Sequence, residues 1–281
     1  DDRFFMNSFR ADLHCHSDCS DGSDPPSALV HLAAEAGLQG LSITDHDTIE
    51  AYTPELFQEA LAKNIQLLPG VELSTEYCDT SVHILGYGID IKSASFCSFL
   101  AEIQRRRVDR NREILANLAR KNLSISEDEL TFFASRAEGK KTIGRPHIAA
   151  LMVQKGFVRT WQEAFEVYLK QGACCYASGK KFTPHDAIRQ IHSAGGKAVL
   201  AHPHFLRRGF VLRDLLALDF DGIECYYAKL PKQQEKPWVE LAEKKGWIAT
   251  GGSDYHGAFK PHLSLGCSWV NEATFAKLLP L

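Results

Sequence analysis

Strand-like and helix-like segments alternate along most of this 281-residue chain, and this alternation is what most restricts its possible folds. In the first third, ALVHLAAEAGLQG has the apolar spacing of a helix, and the apolar segment LSITDHD is typical of a buried strand. The same rhythm returns late in the chain with PHDAIRQIHSAGG, KAVLAHPHF, DGIECYY and WIATGGSDYH. Strand–helix–strand repetition predicts a mostly parallel sheet or barrel with functional side chains at the C-terminal strand ends.

The middle of the chain departs from this rhythm. The segments IQRRRVDRNREILANLARKNL, SEDELTFFASRA and WQEAFEVYLKQG have helical patterns, with no convincing strand between them. The sequence therefore predicts a barrel in two parts, residues 1–92 and 171–281, separated by a helical insertion over residues 93–170.

Composition excludes several classes of protein. With 44% hydrophobic and 24% charged residues, the chain has the composition of a folded domain, not of a disordered segment. A net charge of −3 without a long basic tract argues against binding of duplex nucleic acid. No apolar run approaches the roughly 18 residues of a membrane span, so we expect a cytoplasmic protein without a membrane partner. The eight cysteines are scattered, which predicts free thiols and no zinc ribbon.

A pair of histidines opens the first strand. In DLHCHSDCSDG, His14 and His16 are two residues apart and therefore point to the same face of a strand. Two imidazoles on one face can bind one metal ion, although an isolated pair is often only structural. Asp254 and His256 repeat this spacing in GGSDYH, near the end of the chain.

Other ligand-type side chains follow or interrupt apolar strands. His46 lies between Asp45 and Asp47, and flanking carboxylates can orient an imidazole; a polar strand end or a helix cap is the alternative. Glu72 follows the apolar segment LLPGV, and His83 opens another. A buried carboxylate is costly unless it binds a cation or pairs with an arginine.

Late in the chain, His202 ends the apolar strand AVLAHPHF, while His204 lies beyond Pro203 and is either solvated or in contact with substrate. Such groups recur at five or six places, more than one ion can use. Imidazole and carboxylate ligands without cysteine suit Zn, Mn or Fe. The sequence therefore predicts a cofactor of two or three divalent metal ions.

These motifs resemble those of the PHP (polymerase and histidinol phosphatase) family. DLHCHSDCSDG, GLSITDHDT, PGVELST, VHILGYG, VLAHPH and GGSDYH correspond to its motifs in order and span nearly the whole chain. The resemblance implies an α/β fold, a distorted (β/α)7 barrel, with a pocket for three metal ions. Glu72 would bridge the ions, and Asp21 stands where some members carry histidine. The implied metal ligands are His14, His16, Asp21, His46, Glu72, His83, His202, Asp254 and His256.

The helical segment is similar to the branch that contains nucleoside 3′,5′-bisphosphate phosphatases and 5′-to-3′ exoribonucleases. The resemblance rests on RVDRN, with Arg107, Arg110 and Asn111, and on GRPHIA, with Arg145 and His147, and it implies substrate contacts there. Residues four apart on a helix share a face, and a helix start favours an anion. Solvated arginines on a charged helix are the alternative.

The predicted function is hydrolysis of phosphate esters of nucleotides by metal-activated hydroxide, with Glu72, His202 and His256 as the catalytic residues. The substrates expected are 3′,5′-bisphosphonucleosides or short single-stranded RNA with a 5′-phosphate. Lys180 and Lys181 in SGKK are further candidates for phosphate contact. Another PHP phosphatase, such as histidinol phosphatase, a metal-dependent amidohydrolase and a non-enzymatic nucleotide-binding module remain as alternatives.

Overall fold

The fold is taken from a computed structural model, which describes residues 9–134 and 142–280. Within these residues the strands are β1 (Ala11–Cys15), β2 (Gly40–Ile43), β3 (Gln66–Leu67), β4 (Gly70–Tyr77), β5 (Thr80–Tyr87), β6 (Lys197–Leu200), β7 (Gly222–Tyr227) and β8 (Ile248–Gly252). The α-helices are α1 (Pro26–Glu35), α2 (Pro54–Ala62), α3 (Ala94–Ala119), α4 (Glu127–Ala134), α5 (Arg145–Gln154), α6 (Trp161–Ala164), α7 (Pro184–Ser193), α8 (Gly209–Leu215), α9 (Lys232–Lys245) and α10 (Glu272–Ala276). A π-helix (Phe165–Leu169) follows α6, and two 3₁₀ helices span Pro203–Phe205 and Gly257–Phe259.

The strands form two sheets, which confirms the α/β class. The first has the order β1-β2-β3 and is parallel. The second has the order β4-β5-β6-β7-β8, in which β5 is antiparallel to both neighbours and β6, β7 and β8 are parallel. The predicted parallel pairing therefore holds on both sides of a β4–β5 hairpin that the sequence analysis did not foresee.

The closed barrel expected from the resemblance is not found among the described residues. Only single parallel bridges join the edges of the two sheets, His46 with Glu72 and Cys15 with Tyr255. Both bridges lie next to a residue with positive φ, Asp47 at 55° and Asp254 at 50°. A residue with positive φ is outside the extended region, so strand pairing ends there. The two sheets are therefore joined by one bridge at each pair of edges, and among these residues the barrel is not closed.

One predicted strand, IQLLPGVELST, is divided in the structure. β3 covers only two residues and pairs with β2, whereas β4 starts at Gly70 and pairs with β5 in the other sheet. Pro69 lies at the division and has no N–H to donate to a ladder. The chain thereby passes from one sheet to the other immediately before Glu72.

The apolar core has layers on both sides of the sheets. Val71, Ile84 and Ile223 belong to a fully buried cluster between the second sheet and the surrounding helices. Between the two sheets, Leu13 packs with Tyr87, whose hydroxyl donates a hydrogen bond of 2.8 Å to the Leu13 carbonyl. This packing holds β1 against β5 and thus sets the position of the histidines on β1.

The middle of the chain is helical, as predicted, and has a buried cluster of its own. The first half of α3 packs into the main core through Phe96 and Ile103, and its second half, with Ile114, packs against α5. The cluster extends to Ala177, beyond residue 170. The boundaries of the helical insertion remain a prediction, and residues 135–137 of the predicted helix SEDELTFFASRA lie outside the described residues.

Two further features concern the surface and the thiols. No helix in the described ranges combines the length and the apolarity needed to cross a bilayer. All eight cysteines are free, which confirms the prediction made from their scattered spacing.

Candidate metal centre

β1 carries the first pair of candidate ligands into the interior. His14 and His16 are fully buried, with ring centroids 5.3 Å apart. Asp12 holds this strand in place, because its carboxylate accepts hydrogen bonds from the backbone N–H of Ser253 at 2.9 Å and of Gly266 at 2.8 Å. β1 is thereby pinned to the end of β8, the strand that leads to Asp254.

Glu72 lies at the centre of a ring of imidazoles. Its side chain is almost fully buried on β4, where an unpaired carboxylate would be costly. Each of its oxygens has more than one imidazole nitrogen nearby. These nitrogens belong to His83 at 2.9 Å, His202 at 3.0 Å, His16 at 3.1 Å, His14 at 3.3 Å and His46 at 3.5 Å.

Two aspartates extend the cluster. Asp254 Oδ1 lies 3.4 Å from His14 Nε2 and 3.3 Å from His16 Nε2. Asp21 faces the other side, with one oxygen 3.5 Å from His16 Nδ1 and from His256 Nε2. Carboxylates therefore alternate with imidazoles across the whole cluster.

All nine ligands expected from the sequence meet in this one cluster. The ligand atoms form four groups small enough to hold an ion, and Glu72 or His16 belongs to each of them. His202 lies outside these groups but contacts Glu72 directly. The assignment of these residues as metal ligands stays a prediction. The four groups are His14–His16–Glu72, His16–Asp254–His256, His16–Asp21–His46 and His46–Glu72–His83.

The hydrogen bonding of His16 indicates whether these residues suit a cation. Both of its ring nitrogens are buried, and neither has a hydrogen-bond partner of acceptable geometry. The carboxylates at 3.1 to 3.5 Å are close but poorly aligned. A buried polar atom without a partner costs about 1 to 3 kcal/mol, a cost that a coordinated cation removes. The cluster therefore fits divalent metal ions, and its N and O donors are those of Zn, Mn or Fe sites.

The surroundings lower the pKa of two carboxylates of the cluster. Burial alone would raise the pKa of Glu72, but the charges of His46 and His83 outweigh it and hold this pKa well below its ordinary value. For Asp254, burial likewise raises the pKa, and His256 and Lys260 bring it well below the usual range. Anionic carboxylates are what metal coordination requires.

Sequence analysis missed a buried carboxylate that touches two of the candidate ligands. Glu224 on β7 accepts a hydrogen bond from His14 Nδ1 at 2.7 Å and another from the backbone N–H of His202 at 2.7 Å. Such a partner orients an imidazole and selects its tautomer. The available signal was the one used for Glu72, a carboxylate inside an apolar strand, here GIECYY.

Two other contacts of the cluster were also missed. Tyr227 and Lys260 both donate hydrogen bonds of 2.5 Å to Asp254 Oδ2, which leaves Oδ1 facing the imidazoles. Nothing in their sequence spacing indicated this, because the two residues come from different segments that meet only in the folded chain.

Three of the eight residues other than glycine that have positive φ in the described ranges lie in or next to the cluster. His202 has φ of 26°, and Asp47 and Asp254 also have positive φ, a region that side chains other than glycine rarely adopt. Residues held in this region tend to occur at functional sites, where the surrounding packing offsets the strain. The strained turn at His202 points its ring back towards Glu72.

A cavity of about 1030 Å³ opens onto this cluster of candidate metal ligands, called the metal cluster below, with Asp21, His46, His83 and His256 in its wall. This volume is at the upper end of typical small-molecule sites. Its wall therefore connects the predicted metal ligands with the predicted substrate contacts.

The arginines predicted to touch substrate differ in the contacts that their guanidinium groups already make. Arg107, Arg110 and Arg145 all line the cavity. Arg107 is already engaged, since its guanidinium contacts Asp47 and donates to Ser74 Oγ at 2.8 Å. Arg110 donates from Nη2 to Asn111 Oδ1 at 3.0 Å, but its Nε is buried without a hydrogen-bond partner. Arg145 donates from Nη1 to the Leu169 carbonyl at 3.3 Å. Lys181 also lines the cavity, 3.5 Å from Glu76.

The other two predicted contacts lie behind the cavity wall. Asn111 donates from Nδ2 to the Ile143 carbonyl at 3.0 Å, and it does not line the cavity. His147, buried at the start of α5, accepts a hydrogen bond of 3.2 Å from the Gly144 N–H through Nδ1. Both side chains support the wall, and a direct contact with substrate remains a prediction for them.

Comparison with known proteins gives a consistent result. A family model described as PHP domain matches residues 12–171. The 5′-3′ exoribonuclease Rnm of Escherichia coli is 34% identical over 267 residues, which cover 92% of this chain and 86% of that protein. The 3′,5′-nucleoside bisphosphate phosphatase of Chromobacterium violaceum is 32% identical over 250 residues, which cover 87% of this chain and 86% of that protein.

Two solved structures are similar over nearly their whole length. A candidate metal-dependent phosphoesterase from Bifidobacterium adolescentis has a TM-score of 0.85 and 30% identity, covering 95% of this chain and 94% of that one. An amidohydrolase from Chromobacterium violaceum, solved with bound sulfate and no metal, has a TM-score of 0.80 and 28% identity, covering 96% and 97% of the two chains.

Proposed function

Because this chain belongs to the PHP family of metal-dependent phosphoesterases, we propose that it hydrolyses phosphate esters of nucleotides with the help of bound divalent metal ions. The substrates proposed are 3′,5′-bisphosphonucleosides and short single-stranded RNA with a 5′-phosphate. This range corresponds to the named activities of the exoribonuclease and bisphosphate phosphatase relatives.

The observation that carries the proposal is the convergence of His14, Glu72, His202 and Asp254. His14 and Asp254 lie near opposite ends of the sequence, yet each of the four residues lies within 3.4 Å of another member of the set. Burial of so many ionisable groups in one place is unfavourable without cations. The presence of such a cluster therefore supports a metal site.

The residues that would hold the ions are the nine of the cluster: eight of them form the cation-sized groups, and His202 contacts Glu72. Their imidazole and carboxylate donors would suit two or three ions of Zn, Mn or Fe. When bound, such ions neutralise phosphoryl charge and activate water for attack on phosphorus. His256 Nδ1 donates to the Asp254 carbonyl at 2.8 Å, so its Nε2 lone pair faces the cluster. His202 or His256, if not committed to a metal ion, would protonate the leaving oxygen, and His256 would first have to take up a proton at Nε2.

The cationic side of the cavity would bind the phosphate that does not react. Arg110, Arg145 and Lys181 line it together, and guanidinium groups suit phosphate oxygens. Their mutual repulsion is relieved by an anion: burial and then the charges of Arg107 and Arg145 lower the pKa of Arg110. An occupied phosphate position would therefore stabilise this wall.

The first experiment measures hydrolysis by metal-loaded protein of four substrates. These are 3′,5′-bisphosphoadenosine, a 5′-phosphorylated oligoribonucleotide, histidinol phosphate and an amide. We expect turnover of one or both nucleotide substrates. Turnover of the amide alone would favour the amidohydrolase alternative, which the description of one structural neighbour raises, and turnover of histidinol phosphate alone would move the chain to another branch.

A second experiment separates catalysis from substrate selection. Arg145→Ala removes one charge-assisted phosphate contact, worth about 1.5 to 3 kcal/mol, and should raise KM for the bisphosphate roughly 10- to 150-fold. Phenyl phosphate, which has no second phosphate, should be affected far less. Arg159→Ala, an exposed arginine outside the cavity wall, is the matched control. Equal losses on both substrates would contradict the role given to Arg145.

A further inference from the structure

Exposed aromatic side chains gather at the cavity. Six phenylalanine and tryptophan side chains in the described parts of the chain are exposed, and three of them line this cavity. They are Phe205, Trp161 and Phe259, with 59%, 39% and 38% of their surface accessible. Large apolar rings are usually buried, so three exposed rings around one polar site indicate a ligand with an apolar face.

Phe205 is the most exposed of the three and lies beside the candidate metal ligand His202. It ends the 3₁₀ helix that the strained residue His202 begins, and the two rings are 5.3 Å apart. The His202 imidazole in turn contacts Glu72 at 3.0 Å, so a single side chain separates the Phe205 ring from the centre of the cluster.

One side of the Phe205 ring packs against neighbouring aromatic side chains. The imidazole of His204 packs on it at 4.2 Å between ring centroids and packs on Tyr227 at 4.6 Å. Tyr227 is in turn tied to Asp254 by its hydroxyl. A ring that is fixed on one side and exposed on the other loses little entropy when a ligand covers it.

The two walls of the cavity complement one class of molecule. Arg110, Arg145 and Lys181 supply positive charge for phosphate, and Phe205 supplies a flat apolar face in the same space. Nucleotides combine phosphates with a flat aromatic base, and stacking on aromatic side chains is how single-stranded nucleic acids are commonly bound without sequence readout.

We propose that Phe205 is the surface on which a nucleobase of the substrate stacks, so that the enzyme selects nucleotides over phosphate esters without a base. The proposal rests on the phosphoesterase function above and adds a determinant of substrate class that lies outside the metal cluster and the arginines. Stacking is tolerant of base identity, so all four bases should be accepted.

The test compares three variants on two ligands. The ligands are 3′,5′-bisphosphoadenosine and the corresponding 1-deoxyribose bisphosphate, which lacks the base. Phe205→Ala should weaken binding and raise KM for the nucleotide roughly 5- to 150-fold, with kcat and the baseless ligand little affected. Phe205→Trp keeps an aromatic face and should restore affinity. Phe210→Ala, a 45% exposed phenylalanine on α8 outside the cavity wall, is the control.

Binding is measured by calorimetry as well as KM, so that the two proposals can fail separately. If the wild type discriminates between the ligands and Phe205→Ala abolishes this, while no ester is hydrolysed, the stacking role stands and the proposed catalysis is refuted. If hydrolysis is normal and Phe205→Ala leaves nucleotide affinity unchanged, or weakens both ligands equally, the stacking role is refuted.

Discussion

The contact of Glu224 with two candidate ligands makes the substitution Glu224→Gln a sensitive probe of the metal cluster. The backbone N–H of His202 can only donate, so the amide oxygen of glutamine must turn towards it. The amide NH₂ then faces His14 Nδ1, which is forced to accept. The His14 proton moves to Nε2, the atom that lies 3.3 Å from Glu72 and points into the cluster.

The size of the effect follows from this change of tautomer. A protonated Nε2 cannot coordinate a cation, so metal binding must either displace the proton or leave His14 out. Loss of such a supporting contact typically lowers metal affinity or activity 10- to 100-fold, or about 1.4 to 2.8 kcal/mol. Shape is conserved and no buried charge is left unpaired, so thermal stability should change much less than metal affinity.

The measurement is competition for the metal against a chelator of known affinity, with metal content read by mass spectrometry, alongside kcat/KM. Glu243→Gln on the exposed side of α9 is the same chemical change away from the cluster and should have no effect. Wild-type metal affinity and activity in Glu224→Gln would refute the claim that this carboxylate selects the His14 tautomer.

Three further outcomes are expected. In Gly252→Ala the new Cβ would lie 2.3 Å from the backbone nitrogen of His14, so β1 must shift; we expect about 1 to 3 kcal/mol of destabilisation and weaker metal binding, measured by denaturation and chelator titration. Burial raises the pKa of Asp221, but hydrogen bonds led by the Ala198 N–H lower it below 3.8, so this carboxylate contributes stability above that pH. Asp221→Asn should therefore lower the free energy of unfolding by about 1 kcal/mol at pH 7. The difference between wild type and variant, measured by urea denaturation, should shrink as the pH falls below about 4. Ile84→Ala, at a fully buried position, should lower the free energy of unfolding by about 2 to 5 kcal/mol with an unchanged denaturant slope.

The alternation of strands and helices was enough to predict the α/β class and the helical middle of the chain, because both depend on periodicities within short segments. The β4–β5 hairpin escaped prediction for a local reason. Its turn consists of Cys78 and Asp79, both with positive φ, where Asn-Gly or Asp-Gly is the usual signal. The sequence CDT offered no such signal, and Pro69 inside an apolar segment was not interpreted as a division between sheets.

The candidate site, too, could be predicted from the sequence only in part. The two-residue spacing of His14 and His16 and the isolated carboxylate of Glu72 indicated metal chemistry before any fold was known, since strand geometry alone puts such side chains on one face. Whether Arg107 is free for substrate depended on Asp47, which engages it 60 positions away.

The sequence alone determines which imidazoles and carboxylates lie at the ends or in the interior of apolar strands. The tertiary structure decided which of them share a cation-sized space, that Glu224 supports His14 from behind, and that Phe205 is left uncovered beside the cluster. The physical reason is that ligand chemistry belongs to single residues, whereas distances between residues hundreds of positions apart depend on how sheets pair and pack.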